Sequence, residues 1–137
     1  MNRLCFLVIS SMVCGSSFGS STLVSISELL IDPHRYDKQE VLTFGVISLE
    51  FEGFQIVRGN DALWLELFSE PPYTQDSVDA DWARIEGWRS QFEGKCVILR
   101  GTLEKSQDGR AGHFGLWPAE IDNVTDIRLP DDRSLCD

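Results

Sequence analysis

Hydrophobic and polar residues alternate along five stretches of the chain, a pattern typical of strands with one buried face. In one stretch Leu63, Leu65 and Leu67 share a face, and Trp64 and Glu66 occupy the other. Glycine, proline and polar residues separate the stretches, as expected of turns. The predicted strands span residues 39–52, 54–57, 62–68, 95–103 and 113–129. The chain is therefore predicted to be mainly β.

The first of these strands is long and changes its pattern midway. Leu42 and Phe44 share one face, whereas Ile47 and Leu49 have the opposite parity, and Gly45 lies at the change. A parity change beside a glycine predicts a bulge or a sharp bend. A long, bent first strand can serve both halves of a small closed barrel.

Two helices are predicted beside the strands. Ser25 and Glu28 have the spacing of a capping box, and the first helix ends before Pro33. A second helix follows the third strand, with Asp79 and Asp81 at its start, where acidic residues suit the helix dipole. Its apolar positions at helical spacing are Trp82, Ile85 and Phe92.

The order of these elements predicts the fold. A helix between the third and fourth of five strands is the arrangement of the OB-fold. The prediction is a mainly β, OB-fold-like five-stranded barrel, closed or partly open; another small β-barrel or a sandwich is the alternative. Three segments also resemble those of small exported bacterial proteins with an OB-like fold: SELLIDPHRYD at 27–37, ALWL at 62–65 and GHFGL at 112–116. The resemblance covers about residues 25–129 and implies the fold without implying an activity.

The N-terminus has the three parts of a secretory signal peptide. Arg3 precedes an apolar run at 4–13, and small residues follow, with Ser17 and Gly19 placed for cleavage after residue 19. The run is shorter than the roughly 20 residues that span a bilayer, so no transmembrane segment is predicted. We therefore expect a cleaved signal peptide at 1–19 and one domain at 20–137, either periplasmic or secreted. The alternatives are an N-terminal core helix and a lipid anchor through Cys14.

The chain is acidic. Its 12 basic and 22 acidic residues give a net charge of −10, which becomes −11 when Arg3 leaves with the signal peptide. Such a surface repels phosphate backbones, which argues against a nucleic-acid partner, and attracts cationic ones. The charge is equally consistent with a simple role in keeping an exported protein soluble.

The cysteines predict one disulfide. Two lie in the signal peptide, so Cys96 and Cys136 remain as a pair in an oxidising compartment. The alternative is a buried thiol at Cys96 and a free one at Cys136. The sequence shows no CxxC motif or Cys/His cluster, so neither a metal nor a cofactor is predicted.

Functional residues are predicted from the ligand face of OB-folds, which is formed by strands two and three and the loops joining strands one–two and four–five. On this face the predicted residues are Glu50, Glu52, Phe54, Arg58, Trp64, Lys105, Arg110 and His113. Trp117 is added as a second tryptophan, beside Trp64, that could bind sugars or peptides.

Three functions are compatible with this face. The leading one is a non-enzymatic exported binding module for a protein or cell-envelope component, including an inhibitor or immunity-like protein directed at a basic partner. The second is a glycan or small-ligand binder that uses exposed Trp64 and Trp117. The third is a hydrolase with Glu50, Glu52 and His113, for which the sequence offers no recognisable nucleophile–base pair or metal set.

Overall fold

The computed structural model describes residues 22–106, 111–112 and 115–137. The predicted signal peptide with Cys5 and Cys14 lies outside the described residues, as do Arg110 and His113. Among the described residues, no helix combines the length and the hydrophobicity needed to cross a membrane.

Five strands form a closed barrel in the order β1-β2-β3-β5-β4. The pairs are antiparallel except β3 with β5, which run parallel. This is the predicted OB-like barrel, with its long helix between the third and fourth strands. The strands are β1 (Glu40–Ser48), β2 (Gln55–Arg58), β3 (Asp61–Leu65), β4 (Cys96–Lys105) and β5 (Ala119–Arg128).

The first strand joins the two halves of the barrel, as predicted. It pairs with β4 from Glu40 to Val46 and with β2 from Val46 to Ser48. Of the two distortions predicted at Gly45, a bulge or a sharp bend, the bulge is wrong, because the register with β4 continues through Gly45 without a break. Glycine is needed there for another reason: a Cβ would lie 2.7 Å from the carbonyl oxygen of Val57. The change in hydrophobic parity arises because β1 is covered on both faces. Ile47 and Leu49 are buried in the barrel interior, and Leu42 and Phe44 are buried on the outer side of the strand.

The helices begin at side-chain caps. Helix α1 (Ile26–Ile31) starts at Ser25, whose hydroxyl accepts the amide of Glu28 at 3.2 Å, and the short α2 (Pro33–Tyr36) follows it. Helix α3 (Gln75–Phe92) starts at Thr74 in a capping box with Ser77. The predicted start near Asp79 and Asp81 is therefore too late by more than one turn, and Asp81 lies inside the helix.

The core is the barrel interior together with one face of α1 and of α3. Ile26 and Leu29 of α1 and Ile85 of α3 are fully buried against it. The interior side chains come from all five strands and the residues that adjoin them. The largest of these are Ile47, Leu49, Ile56, Leu63, Leu65, Leu67, Leu99, Leu103 and Ile121.

A disulfide ties the C-terminal segment to the barrel. Cys96, the first residue of β4, is bonded to Cys136, and their Cα atoms are 5.9 Å apart. The predicted pairing is confirmed. Since β5 ends at Arg128, the bond holds the last nine residues close to the end of the barrel where β4 begins.

Candidate functional site

The loop between β1 and β2 is fixed to the C-terminal end of α3. The amide of Leu49 donates to Glu93 Oε2 at 2.5 Å, and its carbonyl oxygen accepts Nε and Nη2 of Arg89 at 2.9 and 2.6 Å. Beyond this anchor Glu50 and Glu52 lie in a turn, and Glu52 has a positive φ of 61°. The prediction that the first strand extends to residue 52 is wrong, because β1 ends at Ser48 and both carboxylates lie beyond it.

The segment that leads from β3 to α3 is anchored by a buried carboxylate. Asp81 is 3% exposed and accepts the amide and the hydroxyl of Ser69 at 2.8 and 2.9 Å. Arg84, one turn along the helix, donates to Asp81 at 3.3 Å. This contact fixes the path of the segment that presents Phe68 and Tyr73.

These two anchored segments enclose a groove of about 450 Å³, here called the aromatic groove. At its mouth, Phe51 and Tyr73 are 65% and 60% exposed. None of its described lining residues is basic. They are Phe51, Glu52, Phe54, Trp64, Glu66, Phe68, Tyr73, Val78, Gly112 and Glu120.

The inner wall of the aromatic groove is a packed cluster of rings. The centroid of Phe54 lies 6.1 Å from Trp64, 6.1 Å from Phe68 and 6.4 Å from Trp82. Phe68 and Trp82 meet edge to face at 5.2 Å, a favourable arrangement for aromatic pairs. Phe54 itself is only 3% exposed, so it supports the wall from within.

Trp64 and Trp117 form a pair that covers the outer face of β2 and β3. Their ring centroids are 4.7 Å apart, and Trp117 Nε1 donates to Gln55 Oε1 at 3.1 Å. Trp64 is consequently 5% exposed, so the expectation that its ring is exposed is wrong. Gly112 lies against both rings, where a Cβ would be 2.5 Å from Trp117 and 2.9 Å from Trp64.

Carboxylates crowd the side of the aromatic groove where β5 begins. Burial raises the pKa of Glu120, and the nearby charges of Glu66, Asp122 and Glu104 raise it further, against a smaller lowering by the amide of Gly112. The pKa of Asp122 is also raised, first by burial and then by neighbouring carboxylates. They line an adjoining groove of about 550 Å³, here called the acidic groove, which shares Glu66, Phe68 and Glu120 with the aromatic one.

Ionised Glu120 is therefore expected to reduce the stability of the fold. Its raised pKa means that the native state takes up a proton before the unfolded chain does, so wild-type stability should increase as the pH falls from 7 towards the ordinary value of 4.5. Glu120→Gln should raise the free energy of unfolding at pH 7, by about 1 kcal/mol or less for this partly exposed group. Urea unfolding at pH 7 and pH 4 tests this.

The control for this measurement is Glu28→Gln, which removes one exposed carboxylate on α1 outside the cluster. It should leave the pH dependence as in wild type. An equal gain from both variants would show that net charge alone, and not the position of Glu120, determines the effect.

The structure brings together part of the predicted ligand face. Glu52, Phe54 and Trp64 line the aromatic groove, and Trp117 packs behind Trp64. Arg58 does not line it: its guanidinium lies over Phe44, 5.0 Å from the ring centroid, at the far end of β2. Residues of the groove that sequence reasoning did not assign are Phe51, Glu66, Phe68, Tyr73, Val78, Gly112 and Glu120.

The parts of the chain that the structure describes contain no group of three or more His, Cys, Asp or Glu residues placed to hold a metal ion. Comparison with protein-family models, curated proteins and solved structures found no match to this chain.

Proposed function

We propose that this chain is an exported, non-enzymatic binding module that docks a positively charged protein on the face containing the aromatic and acidic grooves. The observation that carries the proposal is the combination, on one face, of exposed aromatic rings and three carboxylates that form no ion pair with another described residue. Phe51 and Tyr73 project beside Glu52, Glu66 and Glu120. Aromatic residues are enriched in the buried centres of protein interfaces.

The negative charge of this face indicates which kind of partner it binds. The charges of Glu66, Glu104 and Asp122 already disfavour ionised Glu120. A partner that brings positive charge relieves this repulsion and is also attracted over a distance, which speeds association. A nucleic acid would add phosphates to the same carboxylates, so it is the wrong partner for this surface.

The location of the face supports binding rather than a purely structural role. Part of it is formed by the β1–β2 loop, β3 and Gly112 between β4 and β5, which is where OB-folds bind their ligands, and the rest comes from the β3–α3 segment, the start of α3 and β5. Two buried anchors, at Leu49 and at Asp81, hold the two sides of the aromatic groove in place. A site organised before binding loses less conformational entropy when its partner docks.

Site-specific photo-cross-linking in cells that produce the protein tests the proposal. A photoreactive phenylalanine analogue in place of Tyr73 should capture one basic protein, because this side chain is exposed at the mouth of the aromatic groove. Capture repeated in extract should decline as salt rises to about 0.5 M, which screens exposed charges.

The matched control is the same analogue in place of Leu129. Leu129 is 50% exposed and follows β5 at the opposite end of the barrel. It should not capture that protein. Equal capture from both positions, an acidic partner, or no capture from Tyr73 would each contradict the proposal.

A further inference from the structure

We infer that the aromatic groove receives an arginine side chain from the docked protein. This inference rests on the function proposed above and specifies its chemistry. The groove places planar rings on one side and carboxylates on the other, with Phe51 and Tyr73 at its mouth and Glu66 and Glu120 where it meets the acidic groove.

The walls suit a flat cation. Aromatic faces attract guanidinium groups through their quadrupole, and a guanidinium also stacks on them because it is planar. The chain already uses this contact internally, with Arg84 over Trp88 at 5.2 Å and Arg58 over Phe44 at 5.0 Å. No described residue that lines the aromatic groove supplies such a cation there.

The carboxylates suit the same group. Trp64 pairs with Glu120 in the β3–β5 register, and Glu66 donates its backbone amide to Ile121, so both carboxylates are held at one end of the groove by strand pairing. A guanidinium presents several N–H donors in a plane and can bond to carboxylates on more than one side. Among the described residues, Glu66 Oε1 accepts only the amide of Phe68, at 3.2 Å, and Glu120 Oε2 only the amide of Gly112, at 3.4 Å, so both carboxylates have further lone pairs to offer.

Arginine fits better than lysine because of hydration. Glu66 and Glu120 are half-buried, so a cation that pairs with them loses part of its water shell. A guanidinium is more weakly hydrated than an ammonium and therefore loses less free energy on entering such a site. Arginine is also among the residues that contribute most to binding at protein interfaces.

The test is a titration of the full chain with three small probes, followed by NMR. N-acetyl-arginine methylamide should shift the Trp64 indole resonance and the backbone amides of Glu66, Gly112 and Glu120 in a saturable way. The citrulline counterpart has nearly the same shape without the charge and should bind at least about tenfold more weakly. The lysine counterpart should bind several-fold more weakly than the arginine probe.

Two double variants with the same change in charge identify the site. Glu66→Gln with Glu120→Gln should reduce affinity for the arginine probe about tenfold, the usual effect of losing charge-assisted hydrogen bonds. Glu28→Gln with Asp131→Asn removes two exposed carboxylates outside both grooves and should leave affinity unchanged. Unaltered dispersion of the other resonances checks that each variant is folded.

The outcomes distinguish a failure of the arginine pocket from a failure of the proposed docking function. Equal binding of the arginine and citrulline probes, a lysine probe as tight as arginine, or equal losses in both double variants would overturn the arginine pocket. Cross-linking from Tyr73 would still support the docking face in that case. Specific binding of the arginine probe without any cross-linked protein would instead retain the pocket and remove the docking proposal.

Discussion

Replacing Cys96 and Cys136 together with alanine is expected to lower the free energy of unfolding by about 4 kcal/mol. The bridge joins residues 40 positions apart, and the chain-entropy model gives about this value for a loop of that length. Guanidinium unfolding of the double variant, followed by tryptophan fluorescence, measures the loss. Wild-type protein in reductant should unfold at the same midpoint as the double variant.

Ser134→Ala is the control for the disulfide prediction, because it alters the same tail and leaves the bond intact. Among the described contacts, the hydroxyl of Ser134 donates only to Asp132 in its own turn, and the backbone bonds of Ser134 do not depend on its side chain. Its midpoint should stay near that of oxidised wild type. If reduction leaves the wild-type midpoint unchanged, the bridge does not stabilise the fold.

Gly45→Ala is expected to destabilise the barrel by about 1–3 kcal/mol, the usual cost of overpacking a core. The new Cβ would lie 2.7 Å from the carbonyl oxygen of Val57 and 2.9 Å from Ile56 Cγ1. The nearer atom is backbone, so β2 would have to move as a unit. Urea unfolding gives the change.

Gly87→Ala provides a comparison of opposite sign. Gly87 lies within α3, and apart from its chain neighbours and the surrounding helix backbone no described heavy atom lies within 4 Å of the position its Cβ would occupy. Alanine should therefore stabilise the helix by about 0.5–1 kcal/mol. If both variants destabilise the protein alike, or neither does, close approach of β1 and β2 is not what restricts Gly45.

The fold was largely predictable because its signals are local. The alternation of Leu63, Leu65 and Leu67 with Trp64 and Glu66 assigns the faces of β3 before any partner strand is known. The wrong bulge at Gly45 shows the limit of that reasoning. A change of hydrophobic parity cannot distinguish a bulged strand from a regular one covered on both faces, since the covering groups come from elsewhere in the chain.

The candidate site was only partly predictable because it depends on long-range pairing. Glu52, Phe54 and Trp64 follow from the strand order and the known ligand face of the fold. Glu120 reaches the groove because β5 pairs in parallel with β3 and places it opposite Trp64, a register that the sequence does not reveal. The burial of Trp64 has the same origin, since Trp117 belongs to a distant segment that folds back over it.

The position of β5 between β3 and β4 has a consequence for biosynthesis. β5 fills the gap between β3 and β4, and it follows the other four described strands in sequence. A nascent or truncated polypeptide that lacks residues 119–128 would leave two neighbouring strands with unpaired edges, which are templates for aggregation. Nascent chains that end before residue 119 should therefore depend on chaperones until β5 has been synthesised.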